Sequence, residues 1–149
     1  VAKFVFALET LKKYREKKLL TARKDLASIE AELIKIRGAR DLAIQGLKES
    51  IEASRPRAGK GTMAQLSLHS FLSEGQHALI QSCESEIRRI EADAERHRSW
   101  VAHLGKELKA VEKLEDRKRR SWEELEKKAE RRKADGWVAE RWTRSGGAA

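Results

Sequence analysis

The stretch Ile87–Ala129, IRRIEADAERHRSWVAHLGKELKAVEKLEDRKRRSWEELEKKA, decides the fold. Within it Ile87, Ile90, Ala94, His97, Val101, Leu104, Leu108, Val111, Glu115, Lys118, Trp122, Leu125 and Ala129 recur at alternating steps of three and four. An α-helix turns once in 3.6 residues, so this spacing keeps one stripe in line for about six heptads, the pattern of a coiled-coil seam. The remaining positions are mostly charged, as the solvated side of such a helix requires.

Upstream, the helix-breaking residues gather in SRPRAGKGT, Ser54 to Thr62. Pro56 cannot continue a helix and turns Arg55 away from helical geometry, while Gly59 and Gly61 permit a tight reversal. Before this turn a second seam runs through Phe4, Leu8, Leu11, Arg15, Leu19, Ala22, Leu26, Ile29, Leu33, Ile36, Arg40, Ala43, Leu47 and Ile51, with a local stutter around Arg15. Two seams joined by a short turn predict an all-α fold, an antiparallel two-helix coiled-coil hairpin with a longer C-terminal helix. The expected layout is a single domain over 1–149, with helix 1 over about 3–51, a turn at 54–62, helix 2 over about 63–142 and a frayed tail at 145–149. The expected core is Leu8, Leu26, Ile29, Leu33 and Ile36 against Ile87, Ile90, Val101, Leu104 and Leu108.

Composition agrees. Ala, Glu, Leu, Lys and Arg make up 88 of 149 residues, against one proline and 5% aromatics. Sandwiches and barrels need β-branched and aromatic runs with frequent turns, and doubly wound folds need short apolar strands, so both classes are excluded. No run approaches the roughly 18 apolar residues of a membrane helix. The opening apolar run precedes Lys12 and Lys13 instead of following a basic stretch, the wrong order for a secretory signal. A lone cysteine, Cys83, fits a reducing compartment, so the expected location is cytoplasmic.

Charge sharpens the picture. The chain carries 33 basic and 24 acidic residues, a net +9, but the excess is uneven. Residues 1–56 carry +5, 57–116 carry −1 and 117–149 carry +5, so folding back brings both basic segments to one end. Pairing outward from the turn uses up helix 1 near Lys113, which leaves Leu114 to Trp142 without a partner in the hairpin. That overhang keeps an apolar stripe through Leu114, Trp122, Leu125, Ala129 and Trp137, which predicts a covering partner.

Catalytic readings fare poorly. His69, His77, His97 and His103 form no pair three or four residues apart, so no helix face offers two imidazoles to a metal, and neither metal nor cofactor is expected. His97 reads as a polar core layer and Cys83 as a small core residue. The fragment AGKGT, Ala58 to Thr62, lacks the first glycine and the Ser/Thr of a phosphate-binding loop, and no strand precedes it. A helical hairpin offers no concavity in which to build a nucleophile and its base, so no enzyme is expected. A pI near 9.8 raises nucleic acid as a partner. Acids threaded among the bases, as in EDRKRRSWEELEKKAERRKAD, argue instead for an acidic protein surface and no nucleic acid.

The start KFVFALETLKKYREKK, Lys3 to Lys18, and the end KLEDRKRRSWEELEKKAERRKADGWVAERW, Lys113 to Trp142, resemble the FliJ family, soluble components of the bacterial flagellar type III export apparatus. The resemblance spans the whole length. Its most specific parts are the opening Phe4, Phe6, Leu8 and Glu9 and a closing pattern met by Glu130, Arg132, Asp135, Ala139 and Arg141, with Gly136 standing where the family usually has an acid. It implies a non-catalytic coiled coil similar to the rotor stalk of rotary ATPases. It also implies binding in the ring of the hexameric flagellar export ATPase, contact with the membrane export gate and with export chaperones, and peripheral placement at the inner face of the cytoplasmic membrane.

Carried onto this chain, the ATPase surface is Arg117, Arg120, Trp122, Leu125, Arg131, Arg132, Lys133, Asp135, Trp137 and Arg141, and the gate face is Phe71 and Ala78. A monomer when free is the expected state. The alternatives are a self-associating structural coiled coil and the equivalent stalk of a virulence secretion system.

Overall fold

The computed structural model describes residues 2–54 and 62–146. Most of the expected turn, with Pro56, Gly59 and Gly61, and the last three residues of the expected frayed tail lie outside the described residues. The chain is all-α, with α1 over Glu9–Ser54 and α2 over Met63–Gly146, 46 and 84 residues long. Partners run in opposite order along the two helices: Lys12 meets Glu115, Glu30 meets Arg98 and Arg37 meets Glu91. The two-helix antiparallel coiled coil with a longer second helix is therefore what the structure shows.

The chain divides into two compact units, one of residues 19–103 and one of residues 1–18 with 104–149. In the first, Leu33, Ile87 and Ile90 are buried together, with Ile29 and Ile36 half-buried against them. Leu19, Ala22 and Ala94 are buried as well, and Leu26 and Val101 are half-buried. These are seam positions, so the heptad steps of three and four do select the inward side chains. His97, also on the seam, is half-buried, with Nδ1 2.9 Å from the Asp93 carbonyl oxygen.

The seam changes character near the start of α2. There the half-buried positions are His69, Ser73, Gln76, Ile80 and Cys83, mostly polar, while Leu68, Phe71, Leu72 and Leu79 are exposed. Gln76 reaches α1 where Gly46 leaves room: a Cβ on that glycine would stand 3.3 Å from the Gln76 amide nitrogen. The Gln76 side-chain oxygen is buried without a hydrogen-bond partner.

Both ends of α2 extend the expected account. Thr62 caps its N-terminus: the Gln65 amide donates to Thr62 Oγ1 at 3.3 Å and the Thr62 amide donates to Gln65 Oε1 at 3.2 Å. This reciprocal pair satisfies two of the amides that a helix start leaves orphaned. At the other end the helix passes Trp142 and takes in Ser145 and Gly146, with Arg144 in its last turn beside the negative end of the helix dipole. Gly75, Gly105 and Gly136 all lie inside this one continuous helix.

The start of α1 corrects the expectation. The helix begins at Glu9 and not near Lys3, and residues 2–6 are outside any helix. Burial there alternates: Phe4 half-buried, Val5 exposed and Phe6 buried, a period of two that belongs to extended backbone. Leu8, expected in the core, is 39% exposed, because the chain has left helical geometry and Phe6 fills the inward place.

Candidate partner-binding site

The basic end is built on the second unit, where α1 residues and the N-terminal segment pack on α2. Lys12 donates to Glu115 at 2.6 Å, and this carboxylate, a seam position, is 9% exposed. The hydrogen bond and the nearby negative charge hold the Lys12 ammonium above its ordinary pKa, since they favour the charged form. Arg15, the stutter position of the first seam, donates through Nη1 to the Glu107 carbonyl oxygen at 2.8 Å. Both charged seam residues are thus satisfied, which is what keeps a buried charge tolerable. Leu104 and Val111 are buried beside them and Leu108 is half-buried.

Further along α2, Phe4 meets Trp122 with ring centroids 5.9 Å apart, tilted by 51°, in the range where aromatic pairs attract. The Arg119 guanidinium lies 5.5 Å from the centre of the Phe4 ring and also reaches Glu115 at 3.4 Å. A shallow cavity of about 200 Å³ lies between Phe4–Leu8 and Leu114, Lys118 of α2. Leu114 and Trp122 therefore have cover, against the expectation that the overhang begins at Leu114. The physical reason is reach: extended backbone advances about 3.3 Å per residue where a helix advances about 1.5 Å, so the unwound start of the chain covers more of α2.

Beyond this cover the helix stands open. From Arg117 to Gly146 every residue is exposed except Trp122 and Glu126, which are half-buried. Arg117, Arg120, Arg131, Arg132, Lys133, Asp135 and Arg141 are all on this stretch, as are Leu125, Trp137 and Trp142, the two tryptophans 73% and 75% exposed. Val138, which sequence reasoning passed over because it lies off the heptad stripe, is exposed alongside them.

At a step of about 100° per residue, Arg117, Arg120, Lys127, Lys128 and Arg131 share one arc of the helix, with Glu124 and Asp135 among them. Trp122, Leu125 and Ala129 share another. Between Arg117 and Arg144 there are 11 bases and 6 acids. Val138 and Trp142 fall on the basic arc and Trp137 off both, so one side of the helix can bind an acidic partner and bury large apolar anchors together. The expected gate residues lie elsewhere, in the 19–103 unit, where Phe71 is 72% exposed and Ala78 is exposed.

Among the described residues no three His, Cys, Asp or Glu side chains converge as metal ligands, and no helix is long and apolar enough to cross a membrane. A family profile described as "Flagellar FliJ protein" matches residues 4–147. No curated protein and no solved structure is found to match the chain.

Proposed function

Because the chain belongs to the flagellar FliJ family, a component of the flagellar export apparatus, we propose that it is a non-catalytic stalk whose basic end enters the ring of the export ATPase. The observation that carries this reading is the open helix from Lys127 to Gly146, basic in balance and studded with Trp137, Val138 and Trp142. Exposed tryptophans on a long helix cost free energy in water and supply anchors once buried. The mechanism is differential binding. A ligand that fits only the closed ring stabilises the ring over its separate subunits in proportion to its affinity for that state, and activity that needs the ring rises with it.

In the same reading the early part of α2 serves the membrane side. Phe71 and Ala78 meet the export gate, and export chaperones dock on the exposed helix surfaces in turn. Membrane association then runs through the gate and places the protein at the cytoplasmic face of the membrane.

Charge reversal tests the ATPase role. A chain with Arg117→Glu, Arg120→Glu, Arg131→Glu and Lys133→Glu keeps its helical circular dichroism, because all four side chains are exposed. Stimulation of the purified export ATPase is expected to fall to background, as each reversal replaces attraction by repulsion at an acidic surface. Stimulation at the wild-type level would reject this surface.

A further inference from the structure

The indole of Trp122 is not open to a partner, because the chain's own N-terminal segment lies on it. The centre of the Phe4 ring is 5.9 Å from that of Trp122 and 5.5 Å from the Arg119 guanidinium. Indole and guanidinium stand three residues apart on one helix, and the buried Glu115 carboxylate reaches Arg119 at 3.4 Å. The seat that holds Phe4 is therefore set by α2 and keeps its form without the ring. We infer that Trp122 and Arg119 are a masked part of the partner-binding surface, and that residues 2–5 form a strap that a partner lifts by seating an aromatic side chain in place of Phe4.

Two observations show that the segment can lift. The first is its single hold. Of residues 2–5, Ala2, Lys3 and Val5 are exposed, Val5 to 81%, and Phe4 alone is half-buried. The second is the space beside it. A hollow of about 200 Å³ toward Leu114 and Lys118 and another of about 500 Å³ toward Glu115 and Arg119 separate the segment from α2. Packed interiors leave few voids larger than a water molecule, so this segment rests on α2 through one ring and not through a closed interface. Phe6, by contrast, is buried, and its carbonyl accepts from the Glu9 amide at 3.2 Å. It is the fixed end on which the strap swings.

What the strap hides is suited to recognition. Tryptophan and arginine are enriched at the energetic centres of interfaces, and here the pair already holds an aromatic ring by a tilted ring contact and a cation–π contact. At about 100° per residue, Arg119, Trp122, Lys133 and Trp137 fall within one arc, so the seat continues a side of the open helix and does not stand apart from it. A partner lying along that side meets Phe4 at Trp122. A ring supplied by the chain itself competes with one from outside, and the partner's apparent affinity is reduced to the fraction of molecules whose seat is open.

The inference rests on the export ATPase as the partner of this end, and the test separates the two. In NMR spectra of the full chain alone, Phe4→Ala is expected to move the indole proton resonances of Trp122, through loss of the Phe4 ring current, and to leave those of Trp137 and Trp142 in place. Added to the purified export ATPase, Phe4→Ala is expected to reach half-maximal stimulation at a concentration at least about threefold below that of the wild-type chain. Val5→Ala, in the same segment but exposed, matches the wild type. In the Phe4→Ala chain, Arg119→Gln is expected to cancel the gain with helical circular dichroism unchanged, since half of the Arg119 side chain is exposed and what it loses is the open seat.

No stimulation by the wild-type chain or by any variant rejects the ATPase reading and this inference with it. Stimulation by the wild type, with the Phe4→Ala midpoint equal to it or higher, overturns the strap and leaves the ATPase reading standing. Trp122 resonances that stay in place in Phe4→Ala overturn the strap as well. A gain that survives Arg119→Gln overturns the seat.

Discussion

Lys12 and Glu115 show how a seam tolerates a charge. The carboxylate occupies a place that the heptad reserves for apolar side chains, and an ammonium from the other helix meets it at 2.6 Å. The bond raises the Lys12 pKa, and a group whose folded pKa is raised contributes stability in full below its unfolded value of about 10.4. That contribution is lost as pH climbs through the folded value. Chemical denaturation at about pH 9 is therefore expected to find Lys12→Met less stable than wild type, with the gap narrowing as pH rises beyond the unfolded value. A gap independent of pH would mean that Lys12 acts through packing of its stem alone. Periodicity placed Glu115 and Arg15 on the seams, but it did not show their partners. Lys12 lies off the first seam and reaches Glu115 only because its side chain is long.

At the level of elements, the helices follow directly from spacing, and the ends depend on features that spacing ignores. The start of α2 is fixed by Thr62 and Gln65, a threonine followed three residues later by a glutamine, which is a capping signature open to any reader of the sequence. Thr62→Ala is expected to lower stability by about 1 kcal/mol, measured as a shift in urea midpoint at constant slope. Gln65→Glu, which keeps an acceptor for the Thr62 amide and adds negative charge beside the positive end of the helix dipole, is expected to be neutral or better.

The start of α1 was harder to read. Phe4, Leu8 and Leu11 fit helical steps, yet Phe4, Val5 and Phe6 also fit a period of two, and the second pattern is the one the chain adopts. Tertiary contact decided between them. The Trp122 ring and the Arg119 guanidinium on α2 take up the Phe4 ring, contacts that no local rule contains.

At the level of the whole molecule, the chain exposes 12273 Å², where a globular protein of 17.0 kDa exposes roughly 7,700 Å². Few side chains are fully inside, so resistance to opening must vary strongly along the sequence. Hydrogen exchange is expected to be slowest around Leu33, Ile87 and Ile90 and again from Leu104 to Val111. It should be fastest from Met63 to Cys83, where the seam is polar, and beyond Lys127, where no packing exists. Equal protection along α2 would contradict the reversed polarity of its early part. The excess of bases in the last part of α2 was legible from counting charges, and its exposure from the unequal helix lengths. The reversed arc was not, because heptad reading assigns apolar residues to the inside and has no place for Gln76 facing Gly46.

The contact between Phe4 and Trp122 also gives the protein an optical handle. Of its four tryptophans, Trp137 and Trp142 are largely exposed, Trp100 is 44% exposed and stacks on His103, and Trp122 is half-buried against the Phe4 ring. Beside Trp100 on its histidine, the emission of the folded chain is thus divided between two indoles that see water and one that sees the N-terminal segment. A partner that closes over the far end of α2 shifts the former to the blue. Release of the first residues from α2 shifts only the latter, to the red, so one spectrum separates two events at the same end of the molecule.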